Sequence, residues 1–117
     1  MKNFATVESK MNDRELLELA AKAHGGIDYY KTTTIGLMLK GGGVWSPLMD
    51  DGDALRLAVK LKLSIDTNWY NSDACWFTDQ SIAASFDSVE EENHNGDPYA
   101  ATRRAIVRAA AEIGKLK

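Results

Sequence analysis

Apolar positions recur with a helical period in three segments of the chain, and a residue type that caps helices precedes each segment. The predicted helices span residues 13–23, 51–62 and 98–113. The first helix is predicted to begin with a capping box formed by Asn12 and Glu15. The predicted cap of the second helix is Asp50 or Asp51, and that of the third is Asp97, followed by Pro98 at the first helical position.

The apolar stripe of each predicted helix indicates which side packs in the core. In the second helix, the positions assigned to the buried face are Ala54, Leu55, Ala58, Val59 and Leu61. In the third helix they are Ala101, Ala105, Ile106, Ala109, Ala110 and Ile113. The second helix also carries Arg56, Lys60 and Lys62, which we expect to face water.

Period-two alternation predicts a strand over residues 63–70, with Leu63, Ile65, Thr67 and Trp69 on its buried face. A turn at Asn71-Ser72-Asp73 leads to two short predicted strands, at residues 74–78 and 81–86. Hairpin-length connections cannot make a parallel crossover, so these strands are expected to form an antiparallel meander. The following residues, 87–96, are predicted to form an acidic loop.

Strand-forming residues also fill the segments 27–30 and 33–39. They either pair as a hairpin across Lys31-Thr32 or remain partly irregular. Altogether the pattern predicts an α/β fold of the α+β type, with a small antiparallel sheet of three to five strands packed by three helices. Residues 1–10 are expected to be a flexible arm, and residues 11–117 a single domain.

Composition and charge disfavour nucleic-acid-binding, membrane-spanning and secreted proteins. The 117 residues include 17 acidic and 14 basic side chains, giving a formal charge of −3, which disfavours binding to nucleic acid. No apolar run approaches the roughly 20 residues of a membrane span, and the start lacks the apolar core of a signal peptide. A lone cysteine, Cys75, favours a reducing compartment. We therefore expect a cytoplasmic protein with no membrane partner.

The usual sets of catalytic and metal-binding residues are not found in the sequence. His24, His94 and Cys75 cannot assemble a structural zinc site, and the aspartates at 50–53 lack the spacing of a calcium loop. The glycines at 41–43 favour a turn over a phosphate loop, because acidic residues follow them. We expect no metal, no cofactor and no enzymatic activity.

Three blocks of the sequence carry a family resemblance. They are WSPLMDDGDALRLAVKL at residues 45–61, RELLELAAKA at residues 14–23 and DPYAATRRAI at residues 97–106. Taken in chain order, these blocks resemble small phage and prophage proteins of the phage ABA sandwich domain type and, more loosely, NinX-like phage proteins. The resemblance spans residues 11–114 and implies a phage accessory protein of α/β fold. It implies no catalytic residues.

One hypothesis follows from this resemblance and from the surplus of aromatic residues. The protein would be a counter-defence factor that sequesters a small anionic, nucleotide-like ligand, with Arg103 and Arg104 holding phosphate. Trp45, Tyr70 or Tyr99 would stack on a base. For Trp45 the alternative is a buried ring that packs on the second helix, and for the arginines it is pairing with Glu90, Glu91 or Glu92.

A rival hypothesis is an inhibitor that binds a host protein. Here the acidic segment with Glu90, Glu91 and Glu92, together with exposed aromatic residues, would cover a basic surface of a host enzyme. A structural accessory without a ligand is a third possibility. Either binding function is compatible with a homo-oligomer.

Overall fold

A computed structural model describes residues 11–67, 71–76, 88–93 and 96–117, and its architecture is α+β as predicted. In chain order the described elements are α1 (Asp13–His24), β1 (Tyr29–Thr32), β2 (Leu37–Leu39), β3 (Val44–Trp45), α2 (Asp51–Leu61), β4 (Ser64–Thr67), β5 (Asn71–Trp76), β6 (Ser88–Asn93) and α3 (Pro98–Lys115). Some predictions lie outside the described residues. They concern the predicted strand at residues 81–86, the predicted arm at residues 1–10, and the side chains of Trp69 and Tyr70.

The three helices begin where the sequence predicts. Asn12 and Glu15 form the capping box of α1, and Gly25 ends that helix in the left-handed conformation at φ 84°. Asp50 caps α2 by accepting a hydrogen bond from the backbone N–H of Asp53. Asp97 caps α3 in the same way, through the N–H of Ala100. Local side-chain chemistry therefore sets these boundaries.

Helix α3 lies at the centre of the fold. It packs against α1 and α2 on one side and against β5 and β6 on another. Most of its buried residues are small, which lets neighbouring elements approach closely: Ala101, Ala105, Ala109, Ala110, Ala111 and Gly114. The larger buried side chains of α3 are Ile106 and Val107.

The first sheet has the order β1-β2-β3, with antiparallel pairing throughout. The predicted hairpin is confirmed, but its turn was placed too early, since Lys31 and Thr32 belong to β1. The observed turn begins at Thr33, whose backbone N–H and side-chain hydroxyl both donate to the Gly36 carbonyl. These bonds give the reversal a defined geometry that the sequence pattern did not reveal.

The second sheet has the order β4-β5-β6 and is also antiparallel. Two predictions are wrong here. Residues 71–73 begin β5 instead of forming a turn, and residues 88–93 form β6 where an acidic loop was expected. In both cases pairing with a distant strand outweighs the local preference of polar and acidic residues for loops.

The side of α2 that faces the core is only partly the predicted one. Ala54, Leu57 and Ala58 are buried, whereas Leu55 is 63% exposed and Val59 is 68% exposed. The strand β4 is likewise exposed at every residue, including Ile65 and Thr67, which were assigned to the core. Apolar residues occupy more than one side of α2, so periodicity alone cannot identify the side that packs.

Candidate functional site

Arg103 and Arg104 do not form a shared anion site, because they engage different helices. The Arg103 guanidinium donates to the Leu48 carbonyl at 2.8 Å and lies 2.7 Å from an Asp51 carboxylate oxygen at the start of α2. The Arg104 guanidinium lies 2.8 Å from Asp13 at the start of α1. Both arginines thus hold α3 to the N-terminal ends of its neighbours. Their described partners are these aspartates and not the predicted glutamates.

The aromatic residues proposed to stack on a ligand are also separated. Trp45 is only 6% exposed and belongs to the same core cluster as Leu37, so the ring is buried and the exposed-anchor alternative is wrong. Tyr99 is 69% exposed on the first turn of α3. The Ala100 amide at that helix end is already bonded to Asp97. Tyr70 lies outside the described residues.

A row of acidic residues crosses the second sheet. The strand register places Asp66 of β4 opposite Asp73 of β5, and Asp73 opposite Glu91 of β6. Directly opposed positions on neighbouring antiparallel strands have Cβ atoms about 4.5–5.5 Å apart. Three carboxylate-bearing positions therefore lie side by side across the full width of the described sheet.

Alternation along β5 shows which face of the sheet carries this row. Ser72 and Ala74 are fully buried, and the Ser72 hydroxyl lies 2.7 Å from the Thr102 hydroxyl of α3. Successive residues of a strand belong to opposite faces, so Asp73 belongs to the face away from α3. Asp66 on β4 is exposed. We call the row of Asp66, Asp73 and Glu91 the acidic row.

The register also separates the three glutamates that the sequence suggested as a group. Glu90 pairs with Ala74 and Glu92 with Ser72, the two positions of β5 on the side of α3. Only Glu91 shares a register position with Asp73 on the opposite face. The regular strand, and not a loop, thus determines which acidic positions belong to one surface.

Sequence reasoning missed the acidic row because its members are far apart in the chain. Asp73 was assigned to a turn and Glu91 to a loop, so their alignment depended on strands that local patterns did not predict. One signal was available: Asp66 falls on the polar side of the period-two segment at residues 63–70. Like charges directly opposed across a sheet are destabilising in isolation.

A groove of about 600 Å³ lies along α1, on the side of β1. Its apolar lining comes from Met11, Leu19, Ile27 and Tyr29, which are partly buried and pack against the core. Charged residues of α1 also line it: Glu15, Glu18 and Lys22. Glu15 is held in the capping box, and Glu18 accepts a hydrogen bond from the Thr32 hydroxyl. The groove therefore offers an apolar surface bordered by both signs of charge.

His24 lies at the end of α1 with its ring edge-on to Trp45, at a centroid separation of 6.1 Å. Its Nδ1 atom accepts a hydrogen bond from the Gly26 backbone N–H at 3.0 Å. Burial lowers the pKa of His24 from its usual 6.5, and the nearby positive charge of Lys60 lowers it further. The neutral imidazole thus serves as a hydrogen-bond acceptor within the fold.

The described residues contain no group of three or more histidine, cysteine, aspartate or glutamate side chains arranged to hold a metal ion. None of the helices in the described part of the chain has the length and apolar character needed to cross a bilayer.

Comparisons with known protein families, with curated proteins and with solved structures give no match for this chain. The resemblance to phage accessory proteins therefore stays a prediction.

Proposed function

We propose that the protein is a non-enzymatic interaction protein that binds a basic surface of another protein through the acidic row. The observation that carries this proposal is the strand register, which aligns Asp66, Asp73 and Glu91 on the face of the second sheet away from α3. A cationic partner surface would relieve the repulsion among these groups, and complementary charge would also accelerate association.

The resemblance to phage accessory proteins supports a host protein as the partner and a role in counter-defence. Sequestration of a nucleotide-like anion has less support. Arg103 and Arg104 would both have to leave Asp51 and Asp13 to bind a phosphate, and Trp45 is buried. The net charge of −3 also favours a cationic partner over an anionic ligand.

The test uses immobilised full-length protein to capture proteins from a lysate of the bacterial host. Asp66→Asn combined with Glu91→Gln removes two charges from the acidic row. Asp28→Asn combined with Glu112→Gln is the matched control, because it removes two charges from residues paired with Lys40 and Lys115 elsewhere on the surface. Captured proteins are eluted with increasing salt and identified by mass spectrometry.

The proposal predicts one dominant captured protein with a basic surface, eluted by moderate salt because the contact is electrostatic. That protein should be lost from the acidic-row variant and retained by the control variant. Capture that is equal on both variants would contradict the proposal. A nucleotide released from the purified protein, with no captured protein, would instead support the sequestration hypothesis.

A further inference from the structure

Strand β4 lies at one edge of the second sheet. Among the strands that the structure describes, it pairs with β5 alone, through four consecutive register positions without a bulge. In an antiparallel pair, alternate residues direct their backbone N–H and C=O groups to the neighbouring strand, and the residues between them direct these groups away. Two of the four residues of β4 therefore present backbone donors and acceptors at the edge of the sheet.

Both faces of β4 are exposed as well, since none of its four residues is buried. Asp66 belongs to the face away from α3. Ile65 is the register partner of the buried Ala74 and so belongs to the face of α3, yet it is 37% exposed. Helix α3 packs on β5 and β6, and its cover does not extend over β4. The side chains of an added strand would therefore meet exposed groups of β4 on both faces.

The sequence of β4 opposes strand addition only by charge. Natural proteins commonly protect edge strands with proline, lysine, a bulge or a covering element. The residues of β4, SIDT, include no proline or lysine, and their pairing with β5 is regular. The one charged residue is Asp66, which repels an acidic strand and attracts a basic one. This edge therefore selects for the charge of the segment that pairs with it.

Asp66 is in a position to pair with a cation from such a segment. It is exposed and forms no ion pair within the described part of the chain. The residue directly opposite it on an added strand would have its Cβ atom about 4.5–5.5 Å away, so Lys or Arg there would neutralise the end of the acidic row. Lys60 and Lys62, exposed at the end of α2 just before β4, disfavour a second basic residue towards that end.

We propose that the partner binds by adding an extended segment to the edge of β4, with a basic residue opposite Asp66 and apolar β-branched residues opposite Ile65 and Thr67. This inference rests on the proposed function, because it names how the partner recognises the acidic row. In complexes of this kind, backbone hydrogen bonds supply affinity and alternate side chains supply specificity. Because β4 has only four residues, a single short segment binds weakly.

The probe is the peptide acetyl-Gly-Thr-Val-Lys-Val-Thr-Gly-amide, titrated to about 2 mM at low salt into isotope-labelled full-length protein. We expect the largest amide shifts in β4 and slower hydrogen exchange at those amides of β4 that point away from β5. Two N-methylated versions of the peptide keep its charge. Methylation of the amides that pair with β4 should raise the dissociation constant at least about tenfold, whereas methylation of the alternate amides should be tolerated.

Substitutions in the protein test the side-chain contacts without a change in charge at Ile65. Ile65→Ser should raise the dissociation constant about two- to fivefold, because it removes an apolar cross-strand pair. Val44→Ser is the matched control, since Val44 is 42% exposed on β3, an edge strand of the first sheet, and its replacement should leave the constant unchanged. Asp66→Asn combined with Glu91→Gln should weaken binding through the loss of charge.

Failure of this inference is distinguishable from failure of the proposed function. Equal binding of both methylated peptides, with loss of binding in the charge variant, would overturn strand addition and leave the proposed function in place. Loss of binding on methylation, with no effect of the charge variant, would contradict the proposed function and the basic residue opposite Asp66. No binding of the unmethylated peptide at its highest concentration overturns the inference, whatever the host lysate yields.

Discussion

Gly114 of α3 lies directly against the backbone of Leu19 on α1. A Cβ atom built on residue 114 would stand 2.1 Å from the Leu19 carbonyl oxygen, which is far inside van der Waals contact. The two helices therefore meet backbone to backbone at this point. Glycine at position 114 is the residue that permits the packing of α1 on α3.

Replacement of this glycine should be strongly unfavourable. Gly114→Ala should lower the free energy of unfolding by about 1–3 kcal/mol, because the added methyl group forces the two helices apart. Gly41→Ala is the matched control, since a Cβ at residue 41 meets no atom within 4 Å. Urea unfolding of both variants measures the difference. An equal stability of the two variants would show that α1 and α3 do not approach as closely as described.

Arg103 should contribute to stability and not to ligand binding. Arg103→Met removes the hydrogen bond to the Leu48 carbonyl and the ion pair with Asp51, so we expect a loss of about 1–2 kcal/mol in the free energy of unfolding. Arg104→Met is the comparison, because the described bond of Arg104 is the ion pair with Asp13 alone, between side chains 37% and 39% exposed, which should contribute less than about 1 kcal/mol. Thermal and urea unfolding measure the stability of both variants. A larger loss in the free energy of unfolding for Arg104→Met than for Arg103→Met would contradict this account.

His24 should make the fold less stable in acid. Its pKa in the folded protein is lowered from 6.5, so the unfolded chain binds the proton more readily. Stability from the neutral imidazole is therefore complete above pH 6.5 and decreases as the pH falls from 6.5 towards the lowered pKa. Protonation of Nδ1 would also remove the acceptor for the Gly26 N–H.

Unfolding by urea across this pH range, with His24→Gln beside the parent protein, measures the effect of the imidazole. The parent should lose stability more steeply below pH 6.5 than the variant. Lys60→Gln should raise the pKa of His24 part of the way towards 6.5, as followed by proton NMR, because Lys60 is the second cause of the shift. A pKa of His24 at or above 6.5 in the parent protein would contradict the account.

The acidic row should reduce stability in the absence of a partner. Asp66→Asn should raise the free energy of unfolding by about 0.2–1 kcal/mol at low salt, because it removes a like charge opposed to Asp73. The gain should shrink at high salt as screening increases. Asp28→Asn is the control, since Asp28 lies near Lys40 and its loss should not be stabilising. A loss of stability in Asp66→Asn would argue against repulsion within the row.

Features that depend on neighbouring residues in the chain could be predicted from the sequence. The caps at Asn12, Asp50 and Asp97 and the three helices follow from local hydrogen bonding and periodicity. The solvent side of α2 could not be predicted in this way, because Leu55 and Val59 are as apolar as the residues that pack inward. Which side is buried depends on where α3 lies.

The candidate site depended still more on distant contacts. Glu91 becomes part of a surface only through its register with Asp73, and the partners of Arg103 and Arg104 lie more than fifty residues away in the chain. Local composition indicated an acidic loop at residues 87–96 and a pair of arginines that bind one ligand together. In the folded protein, residues 88–93 form a strand, and Arg103 and Arg104 bind to two different helices. Only Tyr99 remains exposed among the described residues proposed to bind a ligand.

The central claim is that the acidic row forms the surface to which a cationic partner binds. The most direct measurement is an NMR titration of the isotope-labelled protein with a short oligolysine peptide at low salt, with backbone amide shifts followed for every residue. The account predicts that the largest shifts occur in β4, β5 and β6 and that Asp66→Asn combined with Glu91→Gln reduces them. Largest shifts at Asp28 or Glu112, or shifts unaffected by the two substitutions, would contradict it.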